Sequence, residues 1–292
     1  MRIIRNPSLF QRQMEKLRSQ GKTIGFIPTL GALHEGHLSL VRKARKENRI
    51  VVVSIFVNPL QFGPREDFSR YPRNFARDRS LLSKEKINYL FMPNVESFYP
   101  AGFQTFIEVT RLEKGLCGSF RPGHFRGVAT VVGKLFNLIR PHRAYFGAKD
   151  YQQAQLIKRM CEDLNFNLQV KILPTLRDRD GLALSSRNAY LSREERAKAL
   201  SISRSLAWAK REMRKGRRNL NQIRKGVLSQ LKPNLRRIDY VEFVEPATLQ
   251  TVRSLKAPFL LAIAGWVGKT RLIDSAIIQT KNKTPKIKKM VR

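Results

Sequence analysis

Apolar positions along this chain follow two rhythms. From residue 8 to 19, Leu9, Met14 and Leu17 recur among charged neighbours and predict a short helix. A compact apolar run over 23–28 reads as a strand. From about Leu38 the spacing turns helical, with Leu38, Val41 and Ala44 on one face and Arg42, Lys43 and Arg45 away from it. Residues 50–57 are dominated by β-branched side chains, as in a parallel strand buried on both faces. Strand, helix, strand over about thirty residues makes a βαβ unit with a right-handed crossover.

The alternation continues. A helix over 75–84 leads to a strand at 89–92, and a short strand is expected at 105–109. Val128, Val131, Val132, Leu135 and Ile139 set a helix over 128–139, followed by a strand at 144–146. A helix carrying Leu156, Ile157, Met160 and Leu164 precedes an alternating strand over 168–172. The predicted fold class is α/β, a Rossmann-like doubly wound parallel sheet spanning residues 1–176. Beyond it, Ser192 and Glu195 form a capping box opening a helix to about Lys215. A second helix over 220–231 and strands at 241–244, 259–264 and 270–274 follow. These predict a smaller α+β domain over 177–280, and the basic stretch 281–292 is expected to be a disordered tail.

Composition narrows the class. Cys117 and Cys161 are the only cysteines, at no metal spacing, which argues against a disulfide framework or zinc site. The first residues lack the apolar run of a signal peptide and no stretch reaches membrane-spanning length, so a soluble cytoplasmic protein is expected. The net charge of +35 invites a nucleic-acid reading. The cations are spread along the whole chain, however, without a recognition-helix or RNP-like pattern. Low-salt attraction to polyanions is expected, and a specific nucleic-acid partner is not.

Four segments at strand-to-helix turns or on the interdomain linker carry candidate chemistry. In 25–41 a strand enters a helix start that bears His34 and His37. Free N–H groups and the helix dipole favour an anion there. The histidines are three apart with Gly36 between them, not the four apart of a helical zinc motif, so phosphate contact is the better reading than metal ligation. The bland reading is an ordinary turn with exposed histidines. Asn58 and Gln61 follow the second strand of the unit and offer amides to a polar substrate, although Asn58 before Pro59 equally suits turn stabilisation. Lys149, Asp150 and Gln153 surround another helix start, where lysine reaches a phosphate and aspartate accepts from ribose hydroxyls. Leu184-Ser-Ser-Arg187 is rich in donors for a polyphosphate, or is simply a polar linker. Gly268-Lys269-Thr270 imitates a P-loop, but Ile263 stands where its first glycine belongs, and no Gly-x-Gly-x-x-Gly follows the first strand.

Five stretches together resemble the pantoate–β-alanine ligase (pantothenate synthetase) family. They are Pro28-Thr-Leu-Gly-Ala-Leu-His-Glu-Gly-His37, Phe56-Val-Asn-Pro-Leu-Gln-Phe-Gly63, Arg121-Pro-Gly-His-Phe-Arg-Gly127, Phe146-Gly-Ala-Lys-Asp-Tyr-Gln-Gln153 and Asp180-Gly-Leu-Ala-Leu-Ser-Ser-Arg-Asn188. The resemblance weakens in the second domain, although Arg271-Leu-Ile-Asp274 is also similar. It implies an amide-forming, AMP-releasing ligase that joins pantoate to β-alanine through pantoyl adenylate. It also implies ATP and Mg2+ as cofactors and a homodimer.

By that resemblance His34, His37, Lys149, Ser185 and Arg187 act on the phosphates, with His37 in the proton-donor role. The ATP site would also include Leu30, Gly31, Gly147, Asp150, Leu176, Leu184 and Ser186. Gln61 and Gln153, with Asn58, would hold pantoate or β-alanine, and Asp78 is a possible neighbour of the Mg-bound phosphates. The sequence departs from the family at Leu30 and Leu184, where methionine is usual, and at Ala148, where glutamate is usual.

Overall fold

The computed structural model describes residues 1–64, 66–252 and 258–279. In chain order its elements are β1 (Arg2–Ile4), α1 (Pro7–Ser19), β2 (Ile24–Thr29), α2 (Glu35–Glu47), β3 (Ile50–Ile55), α3 (Phe75–Lys84), β4 (Tyr89–Phe91), α4 (Val95–Phe98), α5 (Leu116–Phe120) and α6 (His124–Ile139). There follow β5 (Arg143–Gly147), α7 (Tyr151–Asp163), β6 (Gln169–Leu173), α8 (Arg193–Arg214), α9 (Leu220–Leu231), β7 (Arg237–Val244), β8 (Phe259–Val267) and β9 (Thr270–Ile278). Short 3-10 turns lie at Pro59–Gln61, Ala148–Asp150 and Ser186–Tyr190.

Six parallel strands form one sheet in the order β1-β4-β3-β2-β5-β6. β2 lies between β3 and β5, with Phe26 opposite Val52 on one side and Ala144 on the other. From β2 the chain winds outward through β3 and β4, whereas β5 and β6 extend the sheet the opposite way. The β2–β5 boundary is therefore a topological switch point, where loops leaving the carboxyl ends diverge and leave a crevice. One sheet face is covered by α1, α6 and α7 through Phe10, Met14, Val132, Phe136 and Ile157. The other is covered by α2 and α3 through Leu40, Val41, Ala44 and Leu82. Burial on both faces explains why β3 reads as a nearly unbroken apolar run.

The antiparallel sheet β7-β8-β9 carries α8 and α9 against one face, where Leu206, Ile223 and Val227 meet Phe243, Phe259 and Ile263. Its other face joins the main core at Leu260 and Ala262, beside Leu116 and Cys117. The imitated P-loop is the β8–β9 hairpin turn, with Gly268 at φ +54°.

Several expectations shift. Residues 105–109 form no strand. The segment instead packs along α6, with the Ile107 N–H donating to Thr130 Oγ1 (3.0 Å) and Arg126 over the Phe106 ring (4.0 Å). Helix α6 starts at His124, four residues earlier than the apolar spacing suggests, because Gly123 turns the chain at φ +77°. Strand β1 and helices α4 and α5 are too short for periodicity to reveal. The expected tail at 281–292 lies outside the described residues.

Candidate active site

The turn after β2 is held from two directions. Thr29 Oγ1 donates to the Ser54 carbonyl (2.7 Å) and accepts from the Gly31 N–H (3.2 Å). Asp78 on α3 accepts from the N–H groups of Ala32 and Leu33, both at 2.8 Å. Gly31 at φ +87° and Ala32 at φ +49° reverse the chain, and Gly31 packs so closely that an added Cβ would lie 3.1 Å from Ile55 and 3.2 Å from Asp78. Asp78 is 1% exposed and both its oxygens are committed to the turn. It builds the site by tying the turn to α3. Gly31 likewise shapes the turn without lining the cavity.

That turn delivers His34 as N-cap of α2, with the His34 and His37 rings stacked 4.1 Å apart. Gly36 is required beneath them, because a Cβ there would come within 2.8 Å of the His34 ring. His37 Nδ1 accepts a long hydrogen bond from the His34 N–H (3.4 Å), which leaves its proton on Nε2. His34 Nδ1 is buried with no hydrogen-bond partner among the described residues. Burial and then the Lys149 charge push His34 down to about 4. Burial and then His34 push His37 down to about 3. At neutral pH both rings are uncharged N–H donors, and the positive charge comes from elsewhere.

Lys149 supplies part of it from the turn after β5, its ammonium 3.6 Å from Asp150. Crowding of the cleft opposes ionisation of Asp150, but Lys149 and then Arg187 outweigh this and keep its carboxyl below the usual range. Ala148 packs against the main core, so a small apolar residue is accommodated where the family usually has glutamate. Arg187 is gripped fork-to-fork by Asp67 at 2.9 and 2.8 Å. Ser185 caps the following 3-10 turn by accepting from the Arg187 N–H (3.3 Å), and Ser186 bonds the Tyr71 hydroxyl (2.9 Å).

The opposite wall is the Asn58–Gln61 turn. Asn58 is 0% exposed and wholly engaged. Its amide donates to Gln61 Oε1 (3.2 Å) and the Gly127 carbonyl (3.0 Å), and its oxygen accepts from the Tyr99 hydroxyl (3.0 Å) and the Leu60 N–H (3.3 Å). Asn58 therefore orients Gln61 and does not line the cavity, a correction to its expected place among the substrate contacts. With Gln61 Oε1 taken by Asn58, the amide Nε2 is the group left for a ligand.

Sequence reasoning missed the residues behind Gln61. The Gln61 carbonyl accepts from His124 Nδ1 (2.8 Å) and Arg121 (3.3 Å), and Arg121 also donates to His124 Nε2 (3.0 Å). Glu66 clamps Arg121 through two bonds of 2.8 and 2.5 Å. Burial, then Arg121, drives His124 down to about 3, so it stays neutral with its proton on Nδ1. The only signal in the sequence was the Arg121–Gly127 stretch, which points to no role by itself.

One cavity of about 210 Å3 under the switch point gathers the other expected residues. Leu30, His34, His37 and Gly147 line the β2–β5 side, and Lys149, Asp150 and Gln153 come from the start of α7. Leu176, Leu184, Ser185, Ser186 and Arg187 enter from the linker, and Gln61 faces them. It adjoins a cleft of about 1170 Å3 reaching to β8 and β9, and the two share Arg121, His124, Lys149, Asp150, Gln153, Ser185 and Arg187. The arrangement suits an extended polyanion together with a small hydroxylated acid. Among the described residues no cluster of three His, Cys, Asp or Glu is placed to hold a metal ion, and no helix is long and apolar enough to cross a membrane.

Comparison with known proteins agrees with this geometry. The family model described as pantoate-beta-alanine ligase matches residues 2–277. The chain is 55% identical to the pantothenate synthetase of Sulfurihydrogenibium sp. (strain YO3AOP1), over 94% of this chain and 99% of that one. It is 53% identical to that of Thermotoga neapolitana, over 95% and 100%. The crystal structure of pantothenate synthetase from Thermus thermophilus superposes with a TM-score of 0.90 at 44% identity, covering 94% of this chain and 99% of that one. The pantoate-beta-alanine ligase from Francisella tularensis, complexed with beta-gamma ATP and beta-alanine, gives 0.77 at 35% identity, covering 95% and 97%.

Proposed function

The chain belongs to the pantoate-beta-alanine ligase family, and from that premise we propose that its 210 Å3 cavity and the adjoining cleft adenylate pantoate and pass the acyl group to β-alanine. The reaction is ATP-dependent amide formation between the two. Carboxylates are poor acyl donors, so in our reading a pantoate carboxylate oxygen attacks the α-phosphorus of ATP. The bond from that phosphorus to the bridging oxygen breaks, and pyrophosphate leaves. The β-alanine nitrogen then bonds to the acyl carbon, the acyl C–O bond breaks, the nitrogen gives up a proton, and AMP departs with the former carboxylate oxygen.

The observation that carries this reading is that one cavity is lined both by the phosphate donors His34, His37, Lys149, Ser185 and Arg187 and by the amides of Gln61 and Gln153. His34, His37, Lys149, Ser185 and Arg187 would stabilise charge gathering on the phosphates, and Gln61 and Gln153 would hold pantoate in line. Asp150 and the Leu30, Gly147, Leu176 and Leu184 walls would take the nucleoside. The orphaned Nδ1 of His34 and the neutral Nε2–H of His37 fit a polyphosphate acceptor. The described residues form no cage for magnesium, so Mg2+ would arrive on the ATP phosphates. We further infer that residues 177–280 close over the cleft, and that the protein is a cytoplasmic homodimer, the latter testable by light scattering.

Exchange of labelled pyrophosphate into ATP tests the proposal. Exchange should require pantoate and proceed without β-alanine, and adding β-alanine should release AMP. Exchange indifferent to pantoate would overturn it.

A further inference from the structure

Two sequence features remain without a role: the charged turn Arg177-Asp-Arg-Asp-Gly181 and the run Arg271-Leu-Ile-Asp274. The fold joins them. Residues 176–184 form a narrow antiparallel finger in which Arg177 bridges Ala183, the Asp178 N–H donates to the Leu182 carbonyl (2.8 Å) and the Leu184 N–H donates to the Leu176 carbonyl (3.0 Å). Gly181, at φ +93°, closes the tip. Arg196 on α8 staples that tip by reaching Asp178 at 2.6 Å and Asp180 at 2.8 Å. The base of the finger is the Leu176–Leu184 pair, both lining the 210 Å3 cavity, and Ser185 and Arg187 follow directly.

At the stem, Arg177 meets Asp274 of β9 through two bonds of 2.6 and 3.0 Å. Asp274 is 4% exposed and also accepts from the Ser275 N–H (2.8 Å), while Arg177 also donates to the Gly181 carbonyl (3.2 Å). Asp274 is buried but the Arg177 side chain is 33% exposed, so solvent screens much of the attraction and the pair gains little net stability. A bidentate fork does fix distance and orientation together. The staple holds the tip to α8, whereas the fork holds the stem, next to Leu176, to β9.

We propose that Arg177 and Asp274 are positioning residues for the nucleotide. Their fork clamps the 176–184 finger to the C-terminal sheet, which sets the Leu176–Leu184 wall and the start of the Ser185–Arg187 segment against ATP. The inference rests on the ligase reading, in which that cavity takes ATP.

Steady-state kinetics of Arg177→Lys, Asp274→Asn and the reversed pair Arg177→Asp/Asp274→Arg tests it. Asp274→Asn should raise the ATP KM about 10-fold, as coupled neighbours in one ion-pair network do. The pantoate KM, and amide formation from supplied pantoyl adenylate, should stay within about 2-fold, a split that general loosening would not give. The reversed pair should recover at least half of the ATP effect. Arg177→Lys keeps Asp274 paired with a cation but lacks the fork. It therefore carries the test should Asp274→Asn fail to fold, with an expected ATP KM rise of about 3-fold. Wild-type exchange that needs pantoate, together with unchanged ATP KM in the folded variants, would overturn the clamp alone. A parallel rise in both KM values would overturn it too. Wild type without pantoate-dependent exchange would overturn the ligase reading and the clamp with it.

Discussion

Burial holds His34 at about 4 and His37 at about 3, so an arriving triphosphate meets neutral donors and draws their pKa upward. ATP binding should therefore take up protons at pH 6, progressively less by pH 8, and not at all in His34→Gln/His37→Gln. Titration calorimetry in buffers of different ionisation enthalpy measures this, and buffer-independent heats would contradict it. On the proposed reading, the proton-donor role that the resemblance implies for His37 would be acquired with the ligand. In the unliganded protein His124, like His34 and His37, titrates against folding. Its pKa is lower folded than unfolded, so its contribution is complete above about 6.5 and lost as pH falls towards about 3. Between pH 8 and 5 that amounts to about 2 kcal/mol, and urea unfolding of His124→Gln should show a flatter profile across that range. Lys149→Ala should slow adenylation about 100-fold and leave amide formation from supplied pantoyl adenylate much less affected, as measured by rapid quench. Equal losses in both half-reactions would contradict the phosphate role. The sequence displayed most of these side chains but not their partners. Asp78 reaches Ala32 and Leu33 from a distant helix, and Asn58 spends every polar atom on its neighbours, facts that only three-dimensional contact reveals.

At the level of elements, periodicity captured β2, α2, β3, α7 and the long capped helix α8 because each buries a regular face. It failed where packing replaces regular structure, as at 105–109, which lies extended on α6 without pairing. It also failed where glycine conformation sets the boundary, as at Gly123. The approach of α6 to the 59–61 turn was equally hidden. A Cβ at Gly127 would strike the Leu60 carbonyl, so Gly127→Ala should displace Gln61 and raise the pantoate KM about 10-fold while sparing the ATP KM. Matched steady-state titrations of the two substrates would show it, and an unchanged pantoate KM would contradict the supporting role of α6.

At the level of the whole molecule, the switch point between β2 and β5 gathers residues from His34 to Arg187 into one cavity, and α/β alternation in the sequence already implied that crevice. How the C-terminal sheet meets it was not legible, since the Arg177–Asp274 fork joins segments that periodicity treats separately. The charge of +35 acts over the same scale, drawing ATP and pantoate by long-range attraction that salt screens. The central claim is that the carboxylate is activated by adenylation in this cavity, and the fate of its oxygen decides that claim most directly. With pantoate carrying 18O at both carboxylate oxygens, ATP and β-alanine, mass spectrometry of the products should find one 18O in each AMP and none in pyrophosphate. Unlabelled AMP, or label in inorganic phosphate accompanied by ADP, would contradict it.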